Sequence, residues 1–97
     1  MRRLRWTRHA REDLASIRAF ISEQSPNYGA LVVGRIIAAT DRLAQFPESG
    51  RAVPEFAQPG VREVIYRRYR IVYRLVGTDE IHVLTVHHTA RAFPDVM

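Results

Sequence analysis

The run Val61-Arg62-Glu63-Val64-Ile65-Tyr66-Arg67-Arg68-Tyr69-Arg70-Ile71-Val72-Tyr73-Arg74-Leu75 decides how the chain folds. It is dense in β-branched and aromatic residues, which favour strands. Strand side chains alternate, so Tyr69, Ile71, Tyr73 and Leu75 share one face and Arg70, Val72 and Arg74 the other. The first face reads as core. The second carries two guanidinium groups on a half-apolar surface and is expected to bind something anionic. Strands are expected at 61–66, as the central strand, and at 69–76. Arg67-Arg68 then makes the turn between them. Neither residue favours the positive φ of a tight hairpin, and a bulge there is one way out.

Downstream, Gly77-Thr78-Asp79-Glu80 is good turn chemistry. Ile81, Val83 and Thr85 alternate with His82, Leu84 and Val86 in a last strand, followed by His87-His88-Thr89-Ala90-Arg91 and an end expected to fray. Upstream, residues 2–6 alternate basic and apolar and read as a short first strand, whose arginines either extend a basic surface or guard an edge. Thr7 is a candidate N-cap. Ala10, Leu14, Ile17, Phe20 and Ile21 recur at helical spacing and predict a buried stripe on a helix over 8–24. Ser25-Pro26 restarts a helix. Val33, Ile36, Ile37, Leu43 and Ala44 predict its stripe over 26–46, with Gly34 as a candidate for close helix contact. Residues 47–60 hold three prolines and form an irregular loop of a length that is often functional. The order is β-α-α-β-β-β: an α+β fold with a helical hairpin packed on one face of a small, mainly antiparallel sheet.

Ninety-seven residues make one domain, 1–97, with a thin core. With no cysteine, disulfides and thiolate metal sites are excluded; this fits a reducing cytoplasm. No apolar run approaches a membrane span, and no apolar segment follows the basic N-terminus, so neither a membrane nor a secretory signal is expected. All fifteen basic residues are arginine, and the net charge is +5. Codon bias in a GC-rich genome accounts for missing lysines but not for the net charge, which favours an acidic partner. His82, His87 and His88 lack metal-site spacing. Simple alternation puts His82 and His88 on one face, too far apart to share an ion. No metal and no cofactor is expected.

The element order, with Ala10, Asp13-Leu14, Ile17, Phe46-Pro47, Gly50-Arg51, Val61-Arg62-Glu63, Tyr69-Arg70-Ile71-Val72-Tyr73-Arg74, Ile81, Val86-His87 and Arg91 placed along it, resembles the RelE/ParE superfamily of type II toxin–antitoxin toxins. The resemblance spans nearly the whole chain. It implies a growth-inhibiting toxin silenced by a cognate acidic antitoxin that wraps around it as a hetero-oligomer. A basic sheet face suits such a partner. The superfamily divides by target. ParE-like members poison DNA gyrase; RelE-like members cut mRNA in the ribosome. The fold is common to both.

Metal-free RNA cleavage needs a base, an acid and positive charge. Arginine supplies only charge. If the chain is a ribonuclease, Arg62, Arg70 and Arg74 match the basic strand positions of RelE-like enzymes, and His87 or His88 is the acid or base. Tyr66, Tyr69 and Tyr73 read as packing. Against this, the lysines of the best-known ribonuclease members are absent, no tyrosine follows the terminal histidine, and adjacent histidines point to opposite faces of a strand. The His87-His88-Thr89-Ala90-Arg91 tail resembles the ParE type. The expectation is therefore a gyrase-directed, ParE-like toxin in which Arg62, Arg70, Arg74 and Arg91 bind antitoxin or target. The alternatives are a ribosome-dependent mRNA endoribonuclease and a non-toxic nucleic-acid-binding module, the latter lacking aromatics clearly placed for stacking on the open face.

Overall fold

Thr7 joins the first strand to the first helix. Its hydroxyl accepts the Ala10 N–H, capping the helix, and donates to the carbonyls of Val83 and Leu84 across the sheet. In this computed structural model, which describes residues 1–56, 58–91 and 93–94, the strand is β1 (Arg3–Trp6) and the helices are α1 (Arg8–Ser22) and α2 (Pro26–Asp41). A 3-10 turn (Arg42–Ala44) ends α2, where the sequence predicts helix to residue 46. Then follow β2 (Arg51–Ala52), β3 (Val61–Tyr66), β4 (Tyr69–Val76) and β5 (Glu80–His88). The β-α-α-β-β-β order holds, with one two-residue strand added in the loop expected to be irregular. The sheet order is β1-β5-β4-β3-β2, so β4, not β3, is central. β1 runs parallel to β5 and the other pairs are antiparallel.

The helical hairpin packs on one sheet face. Ala10, Val32, Ile36, Ile71, Val83 and Val86 are buried there together, and Leu43, Tyr73 and Ile81 continue the core toward the 3-10 turn. Each fully buried Ile or Val contributes roughly 1.5–3 kcal/mol over its exposed state. The predicted stripes need correction at three points. Phe20 is 62% exposed and lines a cavity that runs along α1. On α2 the buried positions are Gly29, Val32, Ile36 and Thr40, while Ile37 is exposed. Thr40 tolerates burial because its hydroxyl donates to the Ile37 carbonyl at 2.7 Å. The close helix contact is at Gly29, not Gly34. A Cβ on Gly29 would strike Ser22 Oγ and approach the Arg18 carbonyl at 2.8 Å, whereas nothing lies within 4 Å of one on Gly34.

The β3–β4 turn contains no bulge. Arg67 takes the positive φ itself, at 53°. The irregularity lies between β4 and β5, at Val72/Tyr73, where Leu84 is the extra residue. It changes which histidines share a face. Arg74 opposes His82 and Arg70 opposes His87, so His82 and His87 share the face of the two arginines. His88 opposes Tyr69 on the helix side, with ring centroids 5.3 Å apart. The expected pairing of His82 with His88 is overturned by this single inserted residue.

Candidate functional site

The face away from the helices was expected to be an open arginine surface. It is braced and partly covered. Glu63 opposes Val72, next to the Ile65–Arg70 pair, and is completely buried. Its Oε1 accepts from Arg70 Nε at 2.7 Å and its Oε2 from Arg51 Nε at 2.8 Å. Arg70 then turns its remaining nitrogens to Glu55, at 2.7 and 2.6 Å, as a bidentate pair. Those hydrogen bonds hold the Glu55 carboxyl well below its usual range, at about 2. The carboxylates, Glu55 first, raise the Arg70 pKa in turn. The Arg70 side chain is 12% exposed, and its guanidinium lies 4.4 Å from the centre of the Phe93 ring. Phe93 also meets Phe56 and His87 edge-on. Beneath these rings Val53, Val61, Val72 and Leu84 form a second small core. The tail, expected to fray, is docked at Phe93; residues 95–97 lie outside the described part.

Arg62 sits apart from Arg70 and Arg74. It opposes Tyr73 and therefore faces the helix side. There it donates to the carbonyls of Gly50 at 2.9 Å and Glu48 at 3.3 Å. Tyr73, buried, donates its hydroxyl to the Pro47 carbonyl and accepts the Gly50 N–H. A Cβ on Gly50 would meet Glu63 O and Tyr73 Oη at 2.6 Å, so only glycine fits. The Phe46-Pro47 and Gly50-Arg51 pieces are thus a loop pinned to the sheet edge. Arg74, half-buried opposite Val61 and His82, is also engaged.

His87 is buried and its Nε2 donates to the Arg91 carbonyl at 2.8 Å, so the proton sits on Nε2. His88 Nδ1 accepts the Ala90 N–H at 3.1 Å. Both imidazoles thereby hold the chain end, one from each face of β5. Between this end and α1 lies a cavity of about 550 Å³, lined among others by Ile17, Phe20, Tyr69, His88 and Arg91. Asp13 at its wall accepts the Thr85 hydroxyl at 2.5 Å and the Val86 N–H at 3.0 Å. That satisfies the β5 edge where β1 has ended. Among the described residues no three His, Cys, Asp or Glu side chains are grouped to hold a metal ion. No described helix is long and apolar enough to cross a membrane.

Of the five residues named for a ribonuclease, Arg70, Arg74 and His87 share one face, while Arg62 and His88 are on the other. Nothing in the sequence pattern marks Glu55, Phe56 or Phe93 as part of this face. Glu63 carried a legible signal. With a two-residue turn at Arg67-Arg68, residue 63 opposes 72 and must share the face of Arg70.

A small α+β domain with a braced arginine face and a pinned loop is the class these features define. Residues 4–93 match the ParE toxin family of type II toxin–antitoxin systems, parDE. The chain belongs to this family. Y4kP of Sinorhizobium fredii, provisionally named a toxin, is 36% identical over 102 residues, 99% of this chain and 97% of its own. Toxin RelE2 of Caulobacter vibrioides is 31% identical over 86 residues, 89% and 93% of the two chains. Among solved structures, the chromosomal ParDE system from P. aeruginosa superposes with a TM-score of 0.75 at 28% identity, over 91% of this chain and 96% of the other. The RelBE2 toxin–antitoxin complex from Mycobacterium tuberculosis shares the fold, with a TM-score of 0.59 at 24% identity over 90% and 96%.

Proposed function

We propose that this chain is the ParE-like toxin of a type II pair, that it arrests growth by acting on DNA gyrase in the cytoplasm, and that a cognate acidic antitoxin silences it. The observation that supports gyrase over mRNA is the state of Arg70. An RNA phosphate would need this guanidinium, and two carboxylates of the same chain already hold all three of its donor nitrogens. Phosphoryl chemistry also needs charge and acid–base groups converging on one atom. Here Arg62 and His88 face away from Arg70 and His87.

The test is pulse labelling after induction in bacterial cells without antitoxin. Thymidine incorporation is expected to fall within minutes while amino-acid incorporation continues. An early fall in translation instead would identify a ribosome-dependent mRNA endoribonuclease and overturn the gyrase reading. Growth arrest reversed by the antitoxin would exclude a non-toxic nucleic-acid-binding module.

A further inference from the structure

The β3–β4 hairpin ends in Tyr66-Arg67-Arg68-Tyr69, and the backbone there is strained. Arg67 holds φ 53°, a conformation that glycine would adopt freely. Tyr66 opposes Tyr69 and closes the ladder on the helix side of the sheet, apart from the braced Arg70. The Arg68 carbonyl accepts the Thr89 N–H at 2.8 Å, which ties the turn to the end of β5. A side-chain-bearing residue held in a strained conformation on a fixed turn points to a use for its side chain.

The groups that gather at Tyr66 are all donors. The Arg67 guanidinium lies 5.8 Å from the Tyr66 ring centre. Arg35, from α2, and Arg67 both approach the Tyr66 hydroxyl and lower its pKa by hydrogen bonding, Arg35 the more. Elsewhere Arg5, Arg51 and Arg70 each meet a carboxylate. Among the described residues no carboxylate is paired with Arg35, Arg67 or Arg68. Two like charges thus converge on one neutral oxygen, with no carboxylate of the chain to offset their repulsion. A phenol oxygen that accepts from guanidinium groups keeps its own O–H to donate. Two guanidinium groups and one hydroxyl can then serve a single external anion, and guanidinium forks match a phosphate. All three arginines are exposed, which suits a chain of phosphates lying across the tip rather than a small molecule enclosed by it.

We propose that Arg35, Tyr66 and Arg67 bind a backbone phosphate of duplex DNA, with Arg68 beside them on the same backbone. The choice of DNA rests on the gyrase reading above, since duplex DNA is what gyrase holds. The phosphate contact rests on the hairpin geometry. Contacts of this kind position a protein on DNA without reading its sequence.

The test is the fluorescence anisotropy of a labelled thirty-base-pair duplex with the purified full chain, followed between about 50 and 200 mM salt. Arg35→Gln with Arg67→Gly is expected to weaken binding at least tenfold and to lower the salt slope by about one, the value for one phosphate. Arg67→Gly relieves the strained backbone, so the loss is not one of folding. Tyr66→Phe is expected to weaken binding at least threefold with the salt slope unchanged. Arg8→Gln with Arg18→Gln removes the same charge from exposed positions on α1 and is expected to change binding less than twofold. Equal weakening by the two arginine pairs would show net charge alone at work and overturn the site. Displacement of the duplex by polyglutamate of equal charge, or tighter binding of a thirty-nucleotide oligouridylate, would overturn duplex DNA as the occupant. Pulse labelling separates this inference from the gyrase reading. DNA binding that ignores the hairpin variants, in a chain that still stops thymidine incorporation first, overturns the inference and leaves gyrase standing. Hairpin-dependent binding in a chain that stops translation first upholds the phosphate contact and overturns the gyrase reading.

Discussion

Glu63 carries a carboxylate into the sheet with no exposure of its side chain, held between Arg51 and Arg70. Arg51 is already 63% exposed and Arg70 keeps its bidentate pair with Glu55, so a neutral residue at 63 strands no arginine and weakens only charge-assisted hydrogen bonds, each worth about 1.5–3 kcal/mol. Glu63→Gln is therefore expected to lower unfolding free energy by roughly 1.5–3 kcal/mol in urea titration; no loss would mean that desolvation of the buried carboxylate cancels what its two arginine bonds contribute. Glu55 makes a different prediction because its side chain is 41% exposed. Its folded-state pKa is depressed to about 2 by Arg70, against about 4.3 when unfolded. A depressed carboxyl stabilises the fold above the unfolded pKa and loses that contribution as pH falls through the folded one. The stability gap between the native chain and Glu55→Gln should be constant above about pH 5, shrink between about pH 4 and pH 2, and vanish below. Stability curves in urea across that range measure it, and a gap that widens toward acid would contradict the pairing.

The β3–β4 hairpin turns on a residue that opposes its own backbone. Arg67 sits at φ 53°, the left-handed region that costs a side-chain-bearing residue about 1–2 kcal/mol. Glycine adopts it freely, at some loss of unfolded-state entropy. Arg67→Gly is expected to raise stability by roughly 0.5–1 kcal/mol in chemical denaturation; destabilisation would show that its contact with the Tyr66 ring outweighs the strain. Much of the fold at this scale is legible from sequence, because a period of two along 61–76 and the Thr7 and Ser25-Pro26 signals are local. What is not legible has non-local causes. The inserted Leu84 leaves no trace in composition, yet it moves His87 rather than His88 onto the arginine face. Phe20 fits the helical period but lines the cavity along α1 and stays exposed. Thr40 is buried because it bonds its own helix, which a search for apolar stripes passes over. The site was less legible still. Arginines on a strand look available until the chain folds Glu55 and Phe93 over them.

Across the whole molecule, an excess of positive charge steers acidic partners, but steering does not make a catalyst. Each of its two terminal histidines is engaged with the chain end. His87 holds Arg91 and packs against Phe93 on one face, and His88 holds Ala90 and meets Tyr69 on the other. General acid–base groups in RNA cleavage are worth about 10²–10⁴-fold each. If either histidine served that role, replacing both by alanine would cut cleavage at least ~100-fold and abolish growth arrest. If both serve only as anchors, the double variant His87→Ala/His88→Ala should melt somewhat earlier, by the roughly 1 kcal/mol of each lost hydrogen bond, and still arrest growth and DNA synthesis at temperatures where it is folded. Thermal melts alongside induced growth curves separate these outcomes. A folded double variant that no longer arrests growth would return the histidines to the chemistry and the mRNA reading to first place.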